Sequence, residues 1–249
     1  MMANFKKALA NKGFVVGGCI FLAIALIALV GPLVWTVDPN AQEMTLRLSA
    51  PSPAHPFGCD DFGRDLLARV IVGARVSLGV GIAVTLATSA LGLVIGAYAC
   101  YNERLDHILM RICDGLMSIP GVLLAIALMA MMGASVWNVI IALSIVYTPS
   151  MARIVWLHIV PNVMAPFLVQ ATFVFAEAVL SEAALSFLGL GIKAPDASWG
   201  NILQAGKNVM RKAWWMIFFP AAAIIASVLS LNLAGDGLRD ALDPKTKED

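Results

Sequence analysis

The 249 residues are 60% hydrophobic and only 13% charged, about half the charged share of an ordinary soluble domain (about 25%), with a mean hydropathy of +0.84. A water-soluble fold has no room to hide that much apolar surface, and a net charge of +1 gives no basic field for nucleic acid. Outside the apolar runs, no polar stretch is long enough for a separate catalytic domain.

In chain order, charge-free runs set the spans, because a lipid-crossing helix needs about 20 apolar residues. Residues 1–12, with Lys6, Lys7 and Lys12, read as a cytoplasmic tail, and 13–37 as a first transmembrane helix. Its charge-free run is too long for the h-region of a signal peptide, so a retained span is expected. Residues 38–75 read as an extracytoplasmic segment, and 76–234 as a five-helix transmembrane domain. The expected spans there are 76–101, 115–132, 136–152, 167–190 and 213–234, with Gly133-Ala134-Ser135 turning a hairpin between the second and third. Residues 235–249 read as a second cytoplasmic tail. Lys and Arg divide nine to eight across the two sides, so the three lysines before the first span decide the orientation and place both termini in the cytoplasm.

Several chemistries are missing. No Gly-x-x-x-x-Gly-Lys-Ser/Thr loop exists, so this chain is not expected to hold ATP in that manner. Gly189, Gly191 and Ala194 match a dinucleotide fingerprint on paper, but no strand precedes them. His55, His107 and His158 lie in three separate connections without metal-ligand spacing. Cys19, Cys59, Cys100 and Cys113 form no C-x-x-C pair, and small buried hydrophobes plus one loop thiol are expected.

Glu177 and Glu182 are acids inside an expected span, where exposure of either to lipid costs about 2.5–3.5 kcal/mol. They are expected to face a translocation path, water or a partner chain. Five residues apart puts them about 140° apart around a helix, so one shared site is not expected. Asp114 is expected to pair with Arg111 one turn earlier. Trp199 and Trp214-Trp215 read as interface anchors. Gly13-x-x-x-Gly17 and Gly92-x-x-x-Gly96 suit close helix packing inside the bundle, and Gly235-Asp236-Gly237 suits a helix stop.

The polar segments carry a more specific signal. His55-Pro56-Phe57-Gly58-Cys59-Asp60-Asp61-Phe62-Gly63-Arg64-Asp65-Leu66-Leu67-Ala68-Arg69 resembles the exterior segment of peptide-type ABC importer permeases. Leu188-Gly189-Leu190-Gly191-Ile192, Pro195 and Ser198-Trp199-Gly200-Asn201 are similar to that family's loop between spans five and six. Gly235-Asp236-Gly237-Leu238-Arg239-Asp240-Ala241-Leu242-Asp243-Pro244 resembles its C-terminal signature. The resemblance is to the C-type subunit of dipeptide, oligopeptide, glutathione and nickel systems.

That resemblance implies an all-α polytopic protein of the bacterial inner membrane with six transmembrane helices and the type I importer permease fold. It implies a non-enzymatic subunit without cofactors of its own. ATP and magnesium would sit on two partner ATPase subunits, beside a second homologous permease and an extracytoplasmic binding protein. Asp60, Arg64, Asp65 and Arg69 would order an outer lid where the binding protein docks, and Ile159, Pro161 and Asp236 would lie on the ATPase side. Di- or oligopeptides are the implied cargo, ahead of glutathione and nickel chelates.

One departure matters. The family carries a coupling loop between spans four and five, with a Glu-Ala-Ala motif and a later Ile-x-Leu-Pro. Here Met151-Ala152-Arg153-Ile154-Val155 runs directly into Trp156-Leu157-His158-Ile159-Val160-Pro161, and roughly thirty family positions have no counterpart. Glu182-Ala183-Ala184 sits in a span and does not replace the motif. An importer permease and a non-transporting subunit uncoupled from its ATPase therefore both stand at this point.

Overall fold

The computed structural model describes residues 11–157 and 164–242. Among these, every regular element is helical, and the one extended pairing is an isolated bridge between Cys59 and Asp65. Helix α1 (Lys12–Val34) starts on Asn11, whose side-chain oxygen accepts from the amides of Gly13 (2.8 Å) and Phe14 (3.2 Å), satisfying two orphan donors of the first turn. Helix α2 (Leu66–Tyr101) follows after a long segment that holds only a short 3-10 turn, Met44–Leu46.

The expected start of α2 at residue 76 falls ten residues late. Arg69 and Arg75 interrupt the charge-free run, yet both lie within the helix, which begins at its cap Asp65. Arg75 lies along α1 and donates to the carbonyls of Ala28 (2.6 Å) and Leu29 (2.7 Å). A guanidinium that serves backbone acceptors does not end a helix.

A second correction concerns 115–132. Instead of one straight span, helix α3 (Glu103–Met117) and helix α4 (Gly121–Met132) meet at a 92° bend. Pro120 explains the break, since its ring pushes the preceding Ile119 out of the helical region and it has no N–H to donate. Twelve residues make α4 about 18 Å long, short of the ~30 Å hydrocarbon core.

Helices α5 (Val136–Leu157), α6 (Met164–Phe187), α7 (Trp199–Gly206) and α8 (Trp215–Leu242) complete the order. Five helices (α1, α2, α5, α6 and α8) are long and apolar enough to cross a membrane, and the bent α3–α4 pair makes a sixth. That agrees with the six expected spans when the pair counts as one.

Helix α2 packs most extensively on α5, and α1 on α8. Glycines explain both seams. A Cβ on Gly17 would stand 2.5 Å from the Ser230 carbonyl oxygen, and one on Gly92 would stand 2.5 Å from Cβ of Met151. Both Gly-x-x-x-Gly stripes therefore serve internal packing, as expected. Gly235 and Gly237, by contrast, do not stop a helix. Helix α8 runs through them to Leu242, and they admit Thr172 of α6 and Phe14 of α1 at close range.

Three apolar clusters result among the described residues, a small one joining the end of α2 to α3 and α5 around Ala99, Met110, Cys113 and Ala152 and two larger ones. One joins α1, α8, α7 and the start of α2 around Leu66, Trp199, Trp215 and Met216; the other joins the middle of α2 to α4, α5 and α6 around Val84, Met129, Leu143 and Leu185. The Asp65 end of α2, the 188–198 loop, α7 and the start of α8 gather at one end of the bundle. The last turn of α2, α3, the end of α5, the start of α1 and the end of α8 gather at the other.

Candidate functional site

Four charged residues singled out in the sequence meet at the Asp65 end, and they are buried. Asp60, Arg64, Asp65 and Arg69 are exposed by only 2%, 6%, 3% and 4%. Oδ1 of Asp60 accepts from the amides of Phe62 (2.8 Å) and Arg64 (3.0 Å), folding the loop on itself. Its Oδ2 accepts Nε–H of Arg64 at 2.6 Å and faces Nε of Arg69 at 3.5 Å. One carboxylate thus neutralises two guanidiniums. Arg69 also donates to the Pro39 carbonyl (3.2 Å) and the Asn40 side chain (3.3 Å).

Asp65 caps α2 through the Ala68 amide (2.7 Å), accepts the indole N–H of Trp35 (3.1 Å) and pairs with Nδ1 of His55 (2.7 Å). Gly63, at φ +74°, lies so near Glu43 that a Cβ would stand 1.8 Å from the Glu43 carbonyl oxygen. The loop is bolted to α8 as well. Trp215 donates its indole N–H to the Cys59 carbonyl at 3.1 Å, and the Phe57 and Phe219 rings stack at 3.8 Å. Trp199 is likewise buried, donating to the Val70 carbonyl at 3.0 Å. Of the three tryptophans expected as interface anchors only Trp214 is exposed; the other two are core residues with a satisfied N–H.

Burial pushes the Cys59 thiol up to about 11, with the Asp65, Asp60 and Glu43 charges adding to it. Burial also raises the Asp61 carboxyl, and Asp60 adds to that shift. Alkylation needs the thiolate, so iodoacetamide at pH 8 is expected to leave Cys59 unmodified in the folded chain and to modify it after denaturation. Peptide mass spectrometry checks this; equal labelling in both states would contradict the burial. The sign for stability follows. The fold holds the protonated thiol, so this contribution is complete below the ordinary thiol value near 9.0 and is lost as pH climbs toward 11.

Beside the cluster, a cavity of about 420 Å³ opens between the loop and α7, with Asp60, Arg64, Arg69, Lys193, Asn201 and Lys207 on its walls. Its lining carries four cations and one acid, and that acid is already committed to the two arginines.

The two intramembrane acids separate sharply. Glu182 has no exposure at all. Its carboxylate accepts Oγ–H of Ser77 on α2 (2.7 Å) and Oγ–H of Ser186 (2.7 Å). Those hydroxyls in turn accept the amides of Trp199 (3.3 Å) and Ile192 (3.0 Å). Glu182 therefore ties α2, α6, the 188–198 loop and α7 together inside the chain. Replacing it with Leu orphans buried hydroxyls at about 1–3 kcal/mol each, and a lowered melting temperature in detergent, largely recovered in Glu182→Gln, is the expected result. Glu177 is exposed on α6. Ser77 and Trp35 had no signal in the sequence, because their partners lie 105 and 30 residues away along the chain; His55, inside the loop motif, pairs with an acid ten residues on.

At the opposite end, Asp114 pairs with Arg153 of α5 and not with Arg111 as expected; the α3–α5 contact brings Arg153 across. Asp236 is exposed on the last turns of α8. Ile159 and Pro161 lie outside the described residues.

Comparison with known proteins accounts for this arrangement. A family model described as the inner membrane component of binding-protein-dependent transport systems matches residues 88–155 and 150–248. The chain belongs to this permease family. A second model, the N-terminal transmembrane domain of oligopeptide transport permease C, matches residues 4–51, which include α1.

Relatives of this permease extend over almost the whole chain. It is 41% identical over 269 positions to a Brucella abortus chain named as a peptide transport system permease, covering 97% of this chain and 91% of the relative. It is 39% identical over 271 positions to a dipeptide transport system permease of Alkalihalophilus pseudofirmus, covering 98% and 89%. It is 35% identical over 281 positions to a di/tripeptide transport system permease of Pseudomonas aeruginosa, covering 99% and 93%.

These alignments are longer than the permease itself. In the Brucella comparison, 97% of 249 residues is about 242, so about 27 of the 269 positions face no residue here. The family model breaks into two pieces that meet at residues 150–155, near the end of α5. That is where the sequence departs from the coupling-loop pattern.

Proposed function

We propose that this permease is a membrane-spanning subunit of an ATP-driven importer that moves di- or oligopeptides, with glutathione and nickel chelates as the further cargo classes. Identity of 35–41% over nearly the full chain to relatives named for peptide, dipeptide or di/tripeptide transport carries this reading. Its site in the bacterial inner membrane would have both termini in the cytoplasm. The Asp65 end, with its buried charge cluster and cationic cavity, then faces outward as the lid on which an extracytoplasmic binding protein docks. Glu177, the acid left exposed on a spanning helix, faces the second permease subunit or the path between the two, where it avoids lipid. Asp236, together with Ile159 and Pro161, lies on the side of the two ATPase subunits, which would supply ATP, magnesium and hydrolysis.

A second reading has its own observation. The family match breaks at residues 150–155, where the resemblance puts the ATPase-coupling loop, and about 27 aligned positions of the Brucella relative face no residue here; a chain without that loop would assemble but not couple. Intact mass of the expressed protein distinguishes the two. A mass of 26.4 kDa supports the uncoupled subunit, provided that cells carrying it accumulate no labelled dipeptide. A product about 3 kDa heavier, at the chain's own mean mass per residue, with ATP-dependent accumulation, supports the working importer. Accumulation by the 26.4 kDa chain would overturn the uncoupled reading.

A further inference from the structure

Two further cavities lie where α7 leads into α8, the first sharing Lys207 and Asn208 with the cavity beside the charge cluster. The upper one, about 640 Å³, is lined by Arg47, Lys207, Arg211 and Lys212 together with Asn208 and backbone-adjacent apolar residues. No acid contributes to its wall. Arg47 is held in place by donating to the Asp61 carbonyl (3.1 Å). The lower one, about 440 Å³, is an open groove along α8 lined only by apolar side chains, among them Trp214, Ile217, Phe218, Ala221 and Ile225. Met210 lines both, so the two are neighbours.

Chemistry changes abruptly between them. Four cations drawn from two separate loops line a cavity with no acid on its wall, and an apolar trough starts beside it. Phe218 and Ile225 are exposed by 57% and 61%, and Trp214 by 56%. Trp214 stands where an aromatic ring marks a membrane–water boundary. A free phosphate would use the cations and leave the trough bare. A neutral lipid would use the trough and bring no anion to the cationic wall. An anionic phospholipid satisfies both, with its phosphate among the cations and an acyl chain along α8.

We propose that this composite site binds an anionic phospholipid, head group against Arg47, Lys207, Arg211 and Lys212 and chain against Trp214, Phe218 and Ile225. The inference is independent of cargo and of ATPase coupling, because neither enters the geometry.

The test is native mass spectrometry of the assembly as it purifies from its own membrane, delipidated and titrated with dioleoylphosphatidylglycerol or dioleoylphosphatidylcholine. The wild type is expected to retain phosphatidylglycerol at least about tenfold better than phosphatidylcholine. Arg211→Ala/Lys212→Ala should bring the two lipids level, and Arg211→Lys/Lys212→Arg should keep the preference. Ala221→Trp, which fills the trough from an exposed helix face, should reduce retention of phosphatidylglycerol while size-exclusion behaviour stays unchanged. Three results would overturn the proposal. One is equal retention of both lipids by the wild type. Another is an undiminished preference in Arg211→Ala/Lys212→Ala, as expected if a partner subunit covers the groove. The third is complete displacement by inorganic phosphate with Ala221→Trp without effect, which would leave an anion site and no lipid site.

Discussion

Insertion of the Brucella relative's loop between its spans four and five at the Val155–Trp156 junction is expected to raise ATP-driven peptide uptake by about 5–150-fold, the range spanned by coupling free energies of about 1–3 kcal/mol. An ATPase shifts a transporter between states only through contacts that differ between them. In the proposed importer, those contacts come from the loop at the end of α5, where the family match breaks. The structure favours this insertion point because α5 is pinned just before it. A Cβ on Gly96 of α2 would stand 2.6 Å from Cβ of Val155, and Arg153 pairs with Asp114 of α3. A longer loop therefore leaves α5 seated as far as Val155 and gives up only its last two residues, Trp156 and Leu157. Uptake of labelled dipeptide by cells carrying either version, with the partner subunits co-expressed, is the measurement. Equal uptake from both would show that coupling runs elsewhere.

Asp60→Ala is expected to cost about 3–5 kcal/mol, the usual penalty for leaving buried charges without their partner. Two guanidiniums, on Arg64 and Arg69, lose their shared carboxylate, and the amides of Phe62 and Arg64 lose an acceptor. Asp114→Ala removes an ion pair whose side chains are 46% and 40% exposed, and a change of only about 0–1 kcal/mol is expected. Thermal melts of both variants in one detergent provide the comparison. Equal shifts would mean that water reaches the Asp60 cluster as freely as the Asp114 pair.

Much of the fold was legible because lipid imposes a simple rule on sequence. Long runs without charge located α1, α5, α6 and α8 to within a few residues or turns. The rule fails where a charge is internally satisfied. Arg69 and Arg75 hid ten residues of α2 because the run broke at residues whose partners, Asp60 and the α1 carbonyls, lie elsewhere in the chain. It also fails where an apolar run bends, since hydropathy does not register the turn that Pro120 forces between α3 and α4.

The site was legible as a set of residues and not as a geometry. The motif around Asp60, Arg64, Asp65 and Arg69 marked the right loop. Nothing in its spacing revealed that these side chains are desolvated, or that Trp35, His55 and Trp215 complete it. Glu182 looked like a pathway residue for the same reason: in sequence an intramembrane acid is conspicuous, whereas the serine that satisfies it, Ser77, is not. Tryptophans misled in the opposite direction, because an indole suits a membrane boundary and a hydrogen-bonded core equally well.

The 36 residues of α2 have a mechanical consequence. At 1.5 Å per residue the helix is a rod about 54 Å long. One tip is clamped in the Asp60–Asp65 cluster, and the other stands beside the end of α5, where Cys100 reaches the Trp156 carbonyl at 3.5 Å. A rod of that length pivoting by about 5° swings its far tip by about 5 Å, so a slight tilt at the α5 end is magnified into a displacement of the Asp60–Asp65 loop as large as a side chain.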